Sequence, residues 1–173
     1  KFAYVMPTAA NPTGLTIDEE RRALLAQKAR EYDMWLVEDD PYGELWYEVE
    51  PPKSLRYWAP ERTIRLGTLS KILAPGFRLG YVIAPPEVLD KFASMKQAMD
   101  LCTAAFTQRV AGQAFSDDVL VEHLPSVRAR YAKHAHAMLD ALAEFMPEGV
   151  TWTKPIGGMF IWVTLPKHMN ATT

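Results

Sequence analysis

Four short apolar runs, each breaking off into turn-forming or charged residues, constrain most tightly what this chain can fold into. They are Lys1-Phe2-Ala3-Tyr4-Val5-Met6-Pro7, Met34-Trp35-Leu36-Val37, Thr63-Ile64-Arg65-Leu66-Gly67 and Leu79-Gly80-Tyr81-Val82-Ile83-Ala84. Runs this short, rich in β-branched and aromatic residues, read as buried strands. Helical stretches lie between and after them. One begins near Thr16, where Thr16 and Glu19 make a capping box and Asp18 and Glu20 suit the positive end of the helix dipole; Leu24, Leu25 and Ala29 mark its apolar side. Pro86 opens another at about 86–100, a third covers about 104–115, and a long one at about 118–145 contains Pro125. This alternation predicts an α/β fold, a mostly parallel sheet with helices on both faces. The short loop between the third and fourth runs also suits an antiparallel pair, so the sheet is expected to be mixed. Val150 to Pro166 reads as two strands around Pro155-Ile156-Gly157-Gly158, with Met159-Phe160-Ile161-Trp162-Val163 as one of them. A domain change is expected inside the long helix, residues 1–125 belonging to a large domain and 126–173 to the start of a smaller α+β C-terminal one.

The composition excludes several classes of function. With 49% apolar and 23% charged residues the chain resembles an ordinary globular protein. A net charge of −2 and the lack of a dense Lys/Arg block give no electrostatic case for nucleic acid. No apolar run approaches the roughly twenty residues that span a bilayer, and no signal-peptide pattern opens the chain, so no membrane contact and a cytoplasmic location are expected. The single cysteine, Cys102, excludes an internal disulfide and reads as a small buried hydrophobe. The 173 residues start in mid-strand and stop soon after another strand, as expected of a piece of something longer.

Three segments at strand ends, where ligands of open α/β sheets collect, carry candidate chemistry. Asn11-Pro12-Thr13-Gly14 suits a plain turn for backbone reasons; its other reading is that the Asn11 amide donates to a phenolic oxygen on a ligand. Glu38-Asp39-Asp40-Pro41-Tyr42-Gly43 ends the second run. Its acids suit solvated loop positions or helix caps. Alternatively, a fixed Asp39 pairs with a protonated pyridine nitrogen and Tyr42 reaches the same ring's phenolic oxygen. Metal binding by Asp39 and Asp40 is a poor alternative, because no further ligand follows at suitable spacing. Thr68-Leu69-Ser70-Lys71 and the following Arg78 make the third segment. Lys71 is either an exposed loop lysine or an imine-forming amine beside an apolar strand; Thr68, Ser70 and Arg78 make a plausible phosphate clamp.

Together these segments resemble the class I and II (fold-type I) aminotransferases, over essentially the whole chain. The resemblance is closest to the branch of 2-aminoadipate and kynurenine aminotransferases and the aminotransferase-like domains of MocR-type regulators. It rests on Asn11-Pro12-Thr13-Gly14, the stretch from Val37 to Leu45, the stretch from Gly67 to Gly80 and Gly157-Gly158-Met159-Phe160-Ile161-Trp162, all in the family's order. It implies pyridoxal 5'-phosphate as cofactor, bound by the large domain, and transamination between an amino acid and a 2-oxo acid. Asn11 and Tyr42 would contact the phenolic oxygen, Asp39 the ring nitrogen, and Thr68, Ser70 and Arg78 the phosphate. Lys71 would be the Schiff-base lysine and the base for the 1,3 proton transfer. Thr68 stands where a serine is usual, and Ala9-Ala10 where this branch often has Phe-Gln.

The resemblance also implies a homodimer, with 101–108 facing the partner's site, and further site parts beyond these residues: a phosphate cup, an aromatic on the ring and an arginine for the substrate carboxylate. Arg128 and Arg130 read as solvated helix residues. The segment alone is therefore expected not to transaminate. The competing expectation is the cofactor-sensing domain of a MocR/GntR-type transcription regulator.

Overall fold

Each apolar run becomes a strand, and the turn residues after it define where the strand stops. A computed structural model describes residues 1–171. Its sheet runs in the order β1 (Phe2–Val5), β2 (Trp35–Asp39), β3 (Thr63–Thr68), β4 (Gly80–Ile83). The first three are parallel, and β4 is antiparallel to β3, with Gly67 opposite Tyr81 and Thr68 opposite Gly80. The expected mixed, mostly parallel sheet is therefore present. The parallel registers bring the carboxyl ends of β1, β2 and β3 to one edge.

Helix α1 (Glu19–Glu31) and the short α2 (Leu55–Trp58) cover one face of the sheet. Ala3 and Val5 of β1 alternate toward that face and pack with Leu36, Ala29 and Leu55. The cap of α1 differs from expectation: Asp18, not Thr16, caps it, accepting from the Arg21 N–H at 2.8 Å. The Thr16 hydroxyl instead accepts from the Ala9 N–H at 3.0 Å, which spends it on the preceding loop. The buried side also differs. Leu24 is exposed, while Arg22, Ala26 and Ala29 are buried.

Arg22 is buried because backbone carbonyls surround it. Its guanidinium donates to Ile17 O, Pro52 O, Lys53 O and Pro7 O, and to the Thr8 hydroxyl, at 2.7–3.1 Å. Burial lowers its pKa, and Glu38 and Asp40 oppose that shift. One side chain thus ties the loop after β1, the start of α1 and the segment before α2.

Beyond the strand ends a second core forms from Ala9, Tyr42, Leu69, Ile72 and Leu79 with Ala111 of α4 (Ala105–Ser116). The long α5 (Val119–Phe145), with Pro125 inside it, packs Leu124, Val127 and Tyr131 against this cluster. Helix α3 (Pro86–Met99) has Pro86 in its first turn, as expected, and no buried residue. After α5 come two short antiparallel strands, β5 (Thr151–Trp152) and β6 (Val163–Thr164). The expected strand at 159–163 shrinks to Val163–Thr164, because the 156–158 loop pairs with the 45–48 segment instead: Gly158 N donates to Leu45 O, and Tyr47 and Glu48 N to Ile156 O. Cys102 is exposed, contrary to the buried reading, because it lies in the turn between α3 and α4. Among the described residues no helix is long and apolar enough to cross a membrane.

Replacing Arg22 by Met keeps bulk but orphans several buried carbonyls. The full-length protein should lose about 2–4 kcal/mol of stability; urea denaturation of the two proteins checks this, and an unchanged midpoint contradicts the role given to Arg22.

Candidate active site

The pleat of β2 sorts three consecutive acids. Glu38 is fully buried, accepting from the Ser54 hydroxyl and, at 3.2 Å, from the Leu55 N–H, so it helps to start α2. Asp40 is also buried and pairs with Arg65 at 2.6 Å. For Arg65, burial works against the charged form, but the charge and hydrogen bond of Asp40 outweigh it and raise the pKa. Asp39, between them, points to the other face, where its partner is the Tyr4 hydroxyl, which donates to Oδ2. The sequence pattern does not single out Tyr4. A tyrosine at a position facing away from the apolar side of β1 was the available signal.

Tyr42 follows Asp39 by three residues and is buried, with its ring edge-on to Phe160 at 5.5 Å. Burial raises its pKa, and the charge of Asp39 and the nearby Tyr131 add to the shift. The Tyr4 pKa is raised to about 12, mainly by its hydrogen bond to Asp39 and further by burial and by Asp39's charge. Two neutral phenols therefore stand around one carboxylate. The loop after Tyr42 is clamped by α5. Arg128 donates to the Glu44 backbone oxygen at 2.8 Å and to its carboxylate at 3.1 Å, and stacks 4.2 Å above the Trp46 ring. Arg128 is thus a clamp rather than a solvated residue; Arg130 is exposed, as expected.

Lys71 sits in the turn after β3. Leu69 and Ile72 on either side are buried in the core, and Leu73 N and Ala74 N both donate to Leu69 O, closing the turn. Those two anchors leave the intervening Ser70 and Lys71 half-buried at the edge. Lys71 makes no hydrogen bond or ion pair among the described residues, and it lines a cleft of about 290 Å³ with His123, Ser126, Arg130, Tyr131 and His134. The sequence pointed to none of these α5 residues, because they come from more than fifty positions away. The Thr68 hydroxyl donates to Leu79 O at 3.2 Å and accepts the Ser70 N–H at 3.1 Å. Arg78 is exposed, in a left-handed conformation (φ 53°), with a 3.4 Å bond to Pro75 O.

Asn11 is exposed in the loop after β1, joined to Pro12 by a cis peptide bond. That loop is set by close contacts with the C-terminal segment. Gly14 has φ +69°, and a Cβ there would lie 2.3 Å from Phe160 O; a Cβ on Gly158 would lie 2.5 Å from that of Ala9. Ala9 is buried against Gly158, so the approach requires a residue without a side chain at 158.

The family profile described as "Aminotransferase class I and II" matches residues 5–173. An aromatic-amino-acid aminotransferase of Thermococcus litoralis is 49% identical over 98% of this chain and 41% of its own length. The crystal structure of Pyrococcus horikoshii kynurenine aminotransferase, in complex with PMP, is 50% identical and superposes with a TM-score of 0.97 over 99% of this chain and 43% of its own. An uncharacterized HTH-type transcriptional regulator of Bacillus subtilis is 34% identical over 98% of this chain and 35% of its own. The chain thus spans less than half the length of these relatives.

Gly14→Ala should destabilise the full-length protein by about 2–4 kcal/mol, through backbone strain and the clash with Phe160 O. Gly76→Ala, with open space around the added carbon, should stay within about 0.5 kcal/mol. Thermal melts of both variants check the pair; equal melting temperatures contradict the packing described.

Proposed function

Given that the chain belongs to the class I and II aminotransferase family, we propose that it is part of an enzyme transferring an amino group between an amino acid and a 2-oxo acid on pyridoxal 5'-phosphate. One observation carries this reading. Neighbouring strand ends present a lysine without a partner among the described residues, Lys71, a carboxylate on the open face of β2, Asp39, and a buried phenol, Tyr42, while the flanking acids Glu38 and Asp40 turn to the opposite face, onto Ser54 and Arg65.

The donor set suits the cofactor atom by atom. The Asp39 carboxylate favours a protonated ring nitrogen. Asn11 and Tyr42 offer an amide N–H and a phenol O–H to the ring's phenolic oxygen. Ser70 and Arg78 offer a hydroxyl and a guanidinium to the phosphate. Thr68, whose hydroxyl donates to Leu79 O, would add a third donor there. Pyridoxal phosphate, when bound, supplies an electron sink for the charge left on the substrate's Cα. Lys71 would hold the cofactor through its amine, and that amine, once free, would be the base that takes the substrate's Cα proton.

In this reading residues 1–125 form part of the cofactor-binding large domain and 126–173 begin the small one; the whole enzyme is a cytoplasmic homodimer. A second reading, the cofactor-sensing domain of a MocR/GntR-type regulator, is favoured by similarity to HTH-type transcriptional regulators of Bacillus subtilis and Escherichia coli. A DNA-binding segment in the same open reading frame would decide for it.

Lys71→Ala in the full-length protein should abolish transamination and the near-visible absorbance of the lysine-bound cofactor. Asp39→Asn should cut turnover roughly a hundredfold, the loss of on the order of 3 kcal/mol of charge stabilisation, with a much smaller change in cofactor affinity. Steady-state kinetics and cofactor titration check both. Full activity in Asp39→Asn, or the same loss confined to Asp40→Asn, contradicts the assignment.

A further inference from the structure

The register of β1 against β2 sets Tyr4 opposite Val37, so Tyr4, Val37 and Asp39 share one face of the sheet, one pleat apart. That geometry delivers the Tyr4 hydroxyl to Asp39 Oδ2. Glu38 and Asp40 cannot compete for it, because the same pleat turns them to the opposite face, onto Ser54 and Arg65. A carboxylate on one short side chain can rotate about two torsions. A single donor fixed to Oδ2 removes that freedom and leaves the lone pairs of Oδ1 open. We propose that Tyr4 is a positioning residue: it holds Asp39 so that the free Oδ1 meets the pyridine nitrogen of the cofactor. This rests on the role given to Asp39 above and adds to it the residue that fixes its orientation.

Two further features support it. With its pKa raised to about 12, chiefly by the bond to Asp39, Tyr4 stays a neutral donor throughout the working range of such an enzyme. The strand also holds the ring in place independently of the site, since Ala3 and Val5 on either side of Tyr4 pack into the core beneath α1. The hydroxyl is therefore an addition to a position already fixed by the sheet, and Tyr4→Phe removes only that atom.

The experiment uses the full-length, cofactor-loaded enzyme and four proteins: the parent, Tyr4→Phe, Asp39→Asn and the double variant. Tyr4→Phe should lower kcat about tenfold with KM for the amino acid within about twofold, as expected for losing one hydrogen bond to a charged group that matters to the chemical step. In the resting enzyme, with 15N in the cofactor ring, the ring-nitrogen resonance should move toward the unprotonated position in Tyr4→Phe, and the melting temperature should stay that of the parent. On the Asp39→Asn background, Tyr4→Phe should add no further loss. The inference is overturned if Tyr4→Phe leaves kcat and the 15N signal at parent values while Asp39→Asn changes both, or if it costs the same on both backgrounds. If Asp39→Asn itself moves neither observable, the role of Asp39 fails and the inference falls with it.

Discussion

The two-residue period of β2 governs what this site can contain. A pleated strand sends neighbouring side chains to opposite faces, so a run of three acids at its end cannot act as one cluster. Glu38 and Asp40 go to the face under α1 and α2, where burial demands partners, and they find Ser54, the Leu55 N–H and Arg65. Asp39 goes to the open face with a single donor. A one-residue slip in the pairing of β1 with β2 would bury Asp39 and turn Glu38 and Asp40 to the site. The parallel register, anchored by Ala3, Val5 and Leu36 in one core, is therefore also what decides which of the three acids faces the open side of the sheet.

The rest of the structure holds the ends of those strands in place. Arg22 fastens the loop after β1 to the segment before α2 through four carbonyls and one hydroxyl. Leu69 and Ile72 fix the turn that carries Lys71. Arg128 and Trp46 join α5 to the loop that follows Tyr42. Glycines allow the closest approaches: Gly14 against Phe160, Gly158 against Ala9 and Gly157 against the backbone of Trp46. Each tie fixes a backbone segment rather than a polar atom of the candidate site.

The strands, their mixed pairing, α3 with its leading proline and the position of the three candidate segments at strand ends were legible in the sequence, because strand length, proline position and turn residues are local signals. The misreadings share a cause: the deciding partner is far along the chain. Thr16 looks like a cap for α1 until the Ala9 N–H claims it. Leu24 looks like a core residue until the carbonyls of Pro7, Pro52 and Lys53 draw Arg22 inside. Arg128 looks solvated until Glu44 and Trp46 arrive from 84 and 82 residues earlier. Tyr4 is the instructive case for the site. Its alternation with Ala3 and Val5 was readable, but its meeting with Asp39 depends on strand order and register.

We propose that the turn after β3 presents Lys71 as the cofactor's covalent anchor. Borohydride reduction of the full-length protein as isolated, followed by proteolysis and mass spectrometry, tests it most directly. The pyridoxyl mass should appear on the peptide containing Ser70-Lys71-Ile72, at Lys71. A label on Lys91 or Lys96, or none on any lysine of a protein that transaminates, would rule out Lys71 as the anchor.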